Sequence, residues 1–363
     1  MSELLENNIP IFWDINRTST HNCLFNFIVG NRGGGKSYGA KKRAIENFIK
    51  KGEKFGYIRR YEKDLTKSFR QFFKDIAPEF PEYESRVVGD TLYLRRKRGE
   101  DEDDVWTDDD IAGYGFILST ADNLKSLPFP DIGILIYDEF IMKEGNQRYL
   151  KDEVTKFLEL YETIARPGTP GRKEVPVWLL SNAITITNPY FMYFNLKMPK
   201  DDVPDKNGKF IWKNSDNTML VENVKSEGLM ALKRATKFGK IIKGTKYEGY
   251  SIDNEFFLDS EVFIERRSNG AKHEFNFIYN NNKYGVWYDY GEGKMWVSEA
   301  TDPYGVTYTI TMEDHSPNTM FLKSKTGSVC LKRFVDCYKL GAVRFENMNI
   351  KNITYEVIKM ILL

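Results

Sequence analysis

Cysteine and histidine are scarce in this chain. Its 363 residues include 3 of each. Cys23, Cys330 and Cys337 make no C-x-x-C pair and no ligand spacing with His21, His273 and His315. That excludes a disulfide scaffold and a clustered zinc site and points to a reducing compartment. Net charge is also nearly absent, since 53 Lys+Arg against 52 Asp+Glu leave +1. Without a global basic field, any nucleic-acid contact must gather its cations on one face or in a pore. No apolar run approaches the ~20 residues needed to cross a bilayer. The start, Met1-Ser2-Glu3-Leu4-Leu5-Glu6, is acidic and lacks the apolar core of a secretion signal. The expectation is a soluble intracellular protein with no membrane partner and no internal repeat.

What is present is a cluster of glycines ahead of a lysine and a serine. Gly30-Asn31-Arg32-Gly33-Gly34-Gly35-Lys36-Ser37 matches the phosphate-loop pattern G-x-x-x-x-G-K-[ST]. Leu24 to Val29 before it reads as a strand and Ser37 to Lys50 after it as a helix. The glycines let backbone N–H groups face the phosphates of a nucleotide, and the helix presents its positive end to the same anion. Lys36 supplies a point charge, and the Ser37 hydroxyl can ligate Mg²⁺. Gly30, Arg32, Gly33, Gly34, Gly35, Lys36 and Ser37 are therefore the candidate nucleotide-binding residues.

The length allows two domains. The first half alternates strand and helix signals. Phe55-Gly56-Tyr57-Ile58, Gly115 to Leu118, Ile132 to Ile136 and Val175 to Leu180 read as buried strands of a mostly parallel sheet. Residues 86–88 and 91–94 flank Gly89-Asp90 as a hairpin. Arg95-Arg96-Lys97-Arg98 runs into an acidic block, Glu100 to Asp104, and reads as a self-compensating solvated loop. From Pro199 the chain turns polar and reads as a linker, whose most basic stretch runs from Lys233 to Lys246. A second domain begins near Asn254, with short strands at 262–264, 274–279, 284–290, 295–297 and 308–310. Helices follow at 329–340 and 353–363. That is an α+β or RNase H-like pattern.

Ile132 to Tyr137 followed by Asp138-Glu139 is an apolar strand ending in two carboxylates, a Walker B pattern. A carboxylate at a strand's tip can reach Mg²⁺, and the next can activate the attacking water. Asp138 is thus the candidate metal residue, with Ser37, and Glu139 the candidate catalytic base. Leu179-Leu180-Ser181-Asn182 resembles a third element, in which Asn182 could sense the γ-phosphate; a capped strand end would look the same. Arg166 ends a predicted helix over 152–165. It could serve a neighbouring subunit as a trans-acting cation, or simply favour that helix's dipole. Lys125 is a second trans candidate. Arg59 and Arg60 follow a strand near the site, as phosphate or DNA ligands or as a surface pair. Trp13 and Arg17 give no firm signal for a base pocket.

At this point the chain resembles the genome-packaging ATPases of phi29-like phages. The matching segments are Asn26 to Gly30 with Gly35-Lys36-Ser37, Tyr57-Ile58-Arg59-Arg60-Tyr61 and Asp138-Glu139-Phe140. Leu180-Ser181-Asn182-Ala183, Asn188-Pro189-Tyr190-Phe191 and Val262-Phe263-Ile264-Glu265 follow. The resemblance implies an α/β fold with an ASCE-type P-loop ATPase domain (1–200), a small linker domain (201–253) and an α+β RNase H-like, vestigial nuclease domain (254–363). It implies ATP and Mg²⁺ as cofactors, and a homopentameric ring at the portal that drives double-stranded DNA into a prohead in the host cytoplasm. A packaging RNA is a further implied partner. Lys36, Glu139, Arg166 and Lys125 then take catalytic roles, Arg166 as the arginine finger. Lys143 and Arg148 fall where such a ring would face its DNA channel. The segment Phe277-Ile278-Tyr279-Asn280 resembles the first nuclease strand, but Asn280 stands where an acid would hold metal. No nuclease activity is expected.

Other classes share these motifs. A ring helicase or AAA+ remodeller would carry the same phosphate loop and Walker B pair. A nucleotide-gated scaffold would bind without hydrolysis, against which the intact Asp138-Glu139 pair argues.

Overall fold

The computed structural model describes residues 12–99, 105–124, 128–142, 149–182, 188–199, 210–253, 262–321 and 328–362. The chain divides into two compact units, Met1–Thr185 with Met198–Phe257, and Ile186–Lys197 with Leu258–Leu363. The helices used below are α1 (Ile15–Ser19), α2 (Lys36–Lys51), α3 (Glu62–Arg70), α4 (Glu153–Ala165), α5 (Pro189–Tyr193), α6 (Glu227–Ala235), α7 (Lys237–Ile242), α8 (Val329–Lys339) and α9 (Met348–Leu362).

The first unit is built on β1 (Phe25–Gly30), β2 (Lys54–Arg59), β3 (Tyr83–Val88), β4 (Thr91–Arg96), β5 (Ile111–Ile117), β6 (Ile132–Asp138), β7 (Val177–Asn182), β8 (Phe210–Lys213) and β9 (Met219–Val224). They form one nine-stranded sheet in the order β3-β4-β5-β2-β6-β7-β1-β9-β8. From β5 through β9 every neighbouring pair is parallel, and the edge strands β3, β4 and β8 are antiparallel. A parallel sheet buries both faces, which is why β1 is buried along its whole length; Phe27, Ile28 and Val29 have no exposed surface. β7 lies between the phosphate-loop strand β1 and the Walker B strand β6. The carboxyl ends of β1, β2, β6 and β7 therefore open on one crevice, where open α/β sheets bind ligands.

Three local readings change. Segment 201–253, read from sequence as a linker, supplies β8 and β9, and β9 pairs in parallel with β1 from Phe25↔Met219 to Gly30↔Val224. Arg95 is not on a solvated loop. It belongs to β4, stacks over Trp106 with its Cζ 4.0 Å from the ring centroid, and pairs with Glu84 at 2.7 Å. Among the described residues, Val262-Phe263-Ile264 forms no full strand; Ile264 makes an isolated bridge with Phe345.

The second unit carries β10 (Lys272–Tyr279), β11 (Asn282–Asp289), β12 (Lys294–Ser298), β13 (Thr307–Thr309), β14 (Met320–Phe321) and β15 (Val343–Phe345). Their order is β14-β13-β10-β11-β12-β15. An antiparallel β10–β11–β12 meander with β13 running parallel to β10 is the RNase H-like arrangement. Phe275, Phe277, Val286, Met295 and Val297 face Phe334 of α8 and Ile350, Ile353 and Val357 of α9 in one core. Asn188 caps α5 by accepting from Tyr190 N and Phe191 N, each at 3.1 Å, which explains the Asn188-Pro189 start.

Candidate nucleotide site

The phosphate loop has the backbone its glycines allow. Gly33 and Gly35 sit at φ +82° and +80°, a left-handed region that a side chain disfavours. At Gly30 a Cβ would lie 2.6 Å from both the Cβ and the carbonyl oxygen of Val224, so close pairing with β9 admits no side chain there. α2 begins at Lys36, aiming its free N–H groups into a cavity of about 830 Å³. That volume suits a drug-sized ligand or a nucleotide. The cavity is lined by the loop, by Phe12 to Asn16, by Arg43 of α2, and by Asp138, Glu139, Ser181 and Asn182. Trp13 is part of the scaffold: its N–H bonds Gly34 O at 2.9 Å and its indole Nε1 donates to Glu222 of β9 at 3.1 Å. Arg17 lies outside the cavity lining and pairs loosely with Asp14 at 3.8 Å.

Lys36 is buried, and its Nζ donates to Gly30 O at 3.0 Å and Asn31 O at 2.7 Å. Burial pulls its pKa from the ordinary 10.5 down to about 7, against the opposing pull of Asp138. The Ser37 hydroxyl donates to Asp138 Oδ1 at 2.9 Å, joining the first turn of α2 to the end of β6. Asp138 Oδ2 accepts from Tyr57 OH at 3.0 Å. A hydroxyl and a carboxylate in contact are hard oxygen donors of the kind Mg²⁺ takes, so Ser37 and Asp138 fit that ion. Glu139 leaves the strand at φ +62°, and its N–H donates to Leu180 O of β7 at 2.8 Å. Asn182 reaches the cavity at the end of β7, while Ser181 Oγ donates to Ile141 O at 3.2 Å.

Arg59 and Arg60 separate into different tasks. Arg59 Nη2 donates to Glu139 Oε2 at 2.6 Å and its Nη1 lies 3.5 Å from Asp138 Oδ2. Burial alone would lower its pKa, but Tyr57, Glu139 and Asp138 outweigh that and hold it raised, hence cationic. Burial, with Asp138 beside it, likewise raises the Tyr57 phenol. Arg60 turns inward as a clamp. It pairs with the buried Glu153 of α4 through Nε at 2.8 Å and Nη2 at 2.7 Å, and it donates to Glu139 O and Phe140 O. Neither arginine is a free surface group: Arg59 ends β2, Arg60 lies just past it, and both are buried.

Sequence reasoning also missed Lys233. Within the basic stretch Lys233 to Lys246, its Nζ turns onto the phosphate loop, donating to Arg32 O and, at 2.7 Å, to Ser251 O. Asn31 Nδ2 donates to Ile252 O beside it. Lys237, Lys240 and Lys243 stay exposed.

Arg166 is exposed at the end of α4, in a left-handed cap at φ +44°, and does not line its own chain's cavity. Lys125, Lys143 and Arg148 lie outside the described residues. Asn280 has a local role. With Asn281 it forms the two-residue turn between β10 and β11, at φ +50° and +60°, where asparagine is favoured. Both N–H groups bond Asp314, at 3.0 and 2.8 Å.

Comparison with known proteins follows the same lines. Residues 8–362 match the family model of the podovirus DNA encapsidation protein (Gp16). The chain is 36% identical to the DNA packaging protein of Bacillus phage phi29 over 350 residues, covering 96% of this chain and 97% of the relative. It is 35% identical to the DNA packaging protein of Bacillus phage B103 over 341 residues, covering 94% and 98%. Its fold superposes on a chain of the bacteriophage phi29 viral genome packaging motor assembly with a TM-score of 0.69 at 35% identity, covering 97% and 99%. A chain of the phi28 DNA packaging motor, at 17% identity, shares the fold with a TM-score of 0.59 over 97% and 98%. With a family match across nearly its whole length and a crevice built from phosphate loop, Walker B tip and intervening strand, the chain belongs to the podovirus DNA encapsidation protein family.

Proposed function

We propose that this chain is the ATP-hydrolysing subunit of a motor that drives double-stranded DNA into a prohead. The contact of Ser37 with Asp138 at 2.9 Å supports the catalytic part of the reading, because a phosphate-loop hydroxyl and a strand-tip carboxylate so close together could share one cation. Mg²⁺ held there would neutralise charge on the β- and γ-phosphates. The chain's own groups do the rest. The loop N–H groups and Lys36 hold the phosphates, Glu139 takes a proton from the attacking water, and Asn182 orients that water or the γ-phosphate. Arg166, exposed and away from its own cavity, serves a neighbouring subunit, and Lys125 is the second candidate. The reading extends to a homopentameric ring on the portal, with a packaging RNA and with Lys143 and Arg148 toward DNA, in the host cytoplasm. It takes residues 1–200 as the ATPase domain, 201–253 as a linker domain and 254–363 as an RNase H-like, vestigial nuclease domain without nuclease activity. Phosphate contacts carry no sequence information, which suits a motor.

The test is steady-state ATP hydrolysis with and without double-stranded DNA, beside Lys36→Ala, Glu139→Gln and Arg166→Ala. DNA-stimulated turnover lost in all three supports the reading. Arg166→Ala subunits should also poison wild-type subunits when mixed. Full activity in Arg166→Ala transfers the trans role to Lys125. Turnover indifferent to DNA, RNA and portal overturns the motor. Robust nicking with Mg²⁺ or Mn²⁺ that persists in Lys36→Ala overturns the absence of nuclease activity.

A further inference from the structure

The stretch from Gly228 to Tyr247 holds Lys233, Arg234, Lys237, Lys240, Lys243 and Lys246 and not one Asp or Glu. In a chain whose net charge is +1, positive charge collects here. The fold gathers it on a tight pair of helices. α6 and α7 meet at Thr236, whose hydroxyl caps α7 by accepting from Gly239 N at 2.9 Å and donates to Lys233 O at 2.7 Å. Gly239 lies against Lys233 O with no room for a Cβ, so the two helices are held close. Gly239 and Ile242 are the buried residues of α7. With these turned inward, helical spacing leaves Lys237, Lys240 and Ile241 on the opposite face.

That face is open. Lys237, Lys240 and Lys243 are exposed and form no ion pair among the described residues. Ile241 is 76% exposed and Phe238 56%. The nearby carboxylate of Glu248 is committed: it accepts from Gly244 N at 2.6 Å and lies 3.8 Å from Arg234 Nε. The face is also tied to the nucleotide loop. Lys233 of α6 donates through Nζ to Arg32 O, while its own carbonyl accepts from Thr236 N at 3.1 Å where α7 begins. One residue thus links the phosphate loop to the helix that carries the exposed cations.

We propose that the outer face of α7, with Lys243 beside it, is a contact for the backbone of double-stranded DNA. It rests on the motor reading and adds a place where the duplex is held. A cluster of cations with no balancing acid is complementary to a polyanion. Ammonium groups on flexible stems act as point charges toward phosphates and read no sequence. Ile241 and Phe238 offer apolar surface to the deoxyribose between them.

The experiment measures binding of the full chain to a blunt DNA duplex of mixed sequence by fluorescence anisotropy across a salt series. It compares the unaltered chain with a triple variant, Lys237→Gln, Lys240→Gln and Lys243→Gln. A control variant carries Lys63→Gln, Lys67→Gln and Lys74→Gln, exposed lysines that stand among Glu62, Asp64 and Asp75. Both variants lose the same charge. The slope of log affinity against log salt counts the phosphates contacted. The expected result is a slope shallower by about one per lysine in the triple variant and unchanged in the control. ATP hydrolysis without DNA stays unchanged in the triple variant, while its stimulation by the duplex falls. An unchanged slope, an equal loss in the control, or no duplex binding by the unaltered chain overturns the proposal. A slope lost for duplex RNA but kept for DNA overturns it in favour of RNA. A kept slope with weakened self-association in sedimentation overturns it in favour of a second copy of the chain. A triple variant that keeps both slope and stimulation strikes this contact and leaves the motor reading standing. Duplex that binds through these lysines without stimulating hydrolysis strikes the motor reading and leaves the contact.

Discussion

Arg59 Nη2 meets Glu139 Oε2 at 2.6 Å, joining the tip of β2 to the residue just past β6. The arginine side chain is 10% exposed and the glutamate 61%, so a nearly buried cation holds an open carboxylate from behind. Asp138 shares the same guanidinium at 3.5 Å. The candidate base is thus placed by a neighbouring strand as well as by its own left-handed backbone.

Arg59→Ala should lower kcat for ATP by about 10²-fold, the low end of what a positioned general base contributes. KM should change less, because Arg59 touches the carboxylates and not the phosphate loop. Steady-state kinetics decides it. A raised KM with unchanged kcat would place Arg59 among the phosphate ligands instead.

Lys36 predicts a proton-linked binding step. Its pKa in the free site is about 7, below the ordinary 10.5, and a bound triphosphate restores the charge that burial disfavours. Nucleotide binding above pH ~7 should then take up a proton, and affinity should fall as pH rises through that window. Calorimetry in buffers of different ionisation enthalpy measures the uptake, which should vanish in Lys36→Met. The sign for folding is opposite: between about 7 and 10.5 the unfolded chain binds the extra proton, so this group adds stability as pH rises.

The Arg60–Glu153 pair predicts a stability effect. The two side chains are 4% and 0% exposed. Removing one partner of such a pair strands a buried charge, so Arg60→Ala should destabilise the first unit by about 3–5 kcal/mol. Chemical denaturation measures it, and a loss under about 1 kcal/mol would show that the site relaxes around the vacancy.

Lys233 predicts coupling between α6 and the phosphate loop. Lys233→Met keeps the stem and removes the bonds to Arg32 O and Ser251 O. KM for ATP should rise severalfold with a smaller change in kcat. Amide hydrogen exchange at residues 31–35 should quicken. Unchanged exchange would mean that the glycine turns alone hold the loop.

The sequence by itself determined what depends on local backbone and local burial. Gly33 and Gly35 mark left-handed positions, and the apolar run 132–137 marks a strand buried on both faces. The helix after Lys36 stops at Gly52, where φ +68° and an N–H to Phe48 O close it. The β–α alternation of the first unit and the meander of the second were legible for the same reason. Only the tertiary structure decided what depends on strand order and register. β7 entered between β1 and β6, so Ser37 meets Asp138. β9 joined β1 from a segment whose polar lead-in reads as a linker. Arg59 and Arg60, adjacent in sequence, took different partners, one the carboxylate of Glu139 and one the buried Glu153. Lys233 closed on a loop some two hundred residues upstream. Each of these is a contact between residues far apart in the chain. Local propensity carries no record of such a partner, because the energy that selects it comes from burying both residues together.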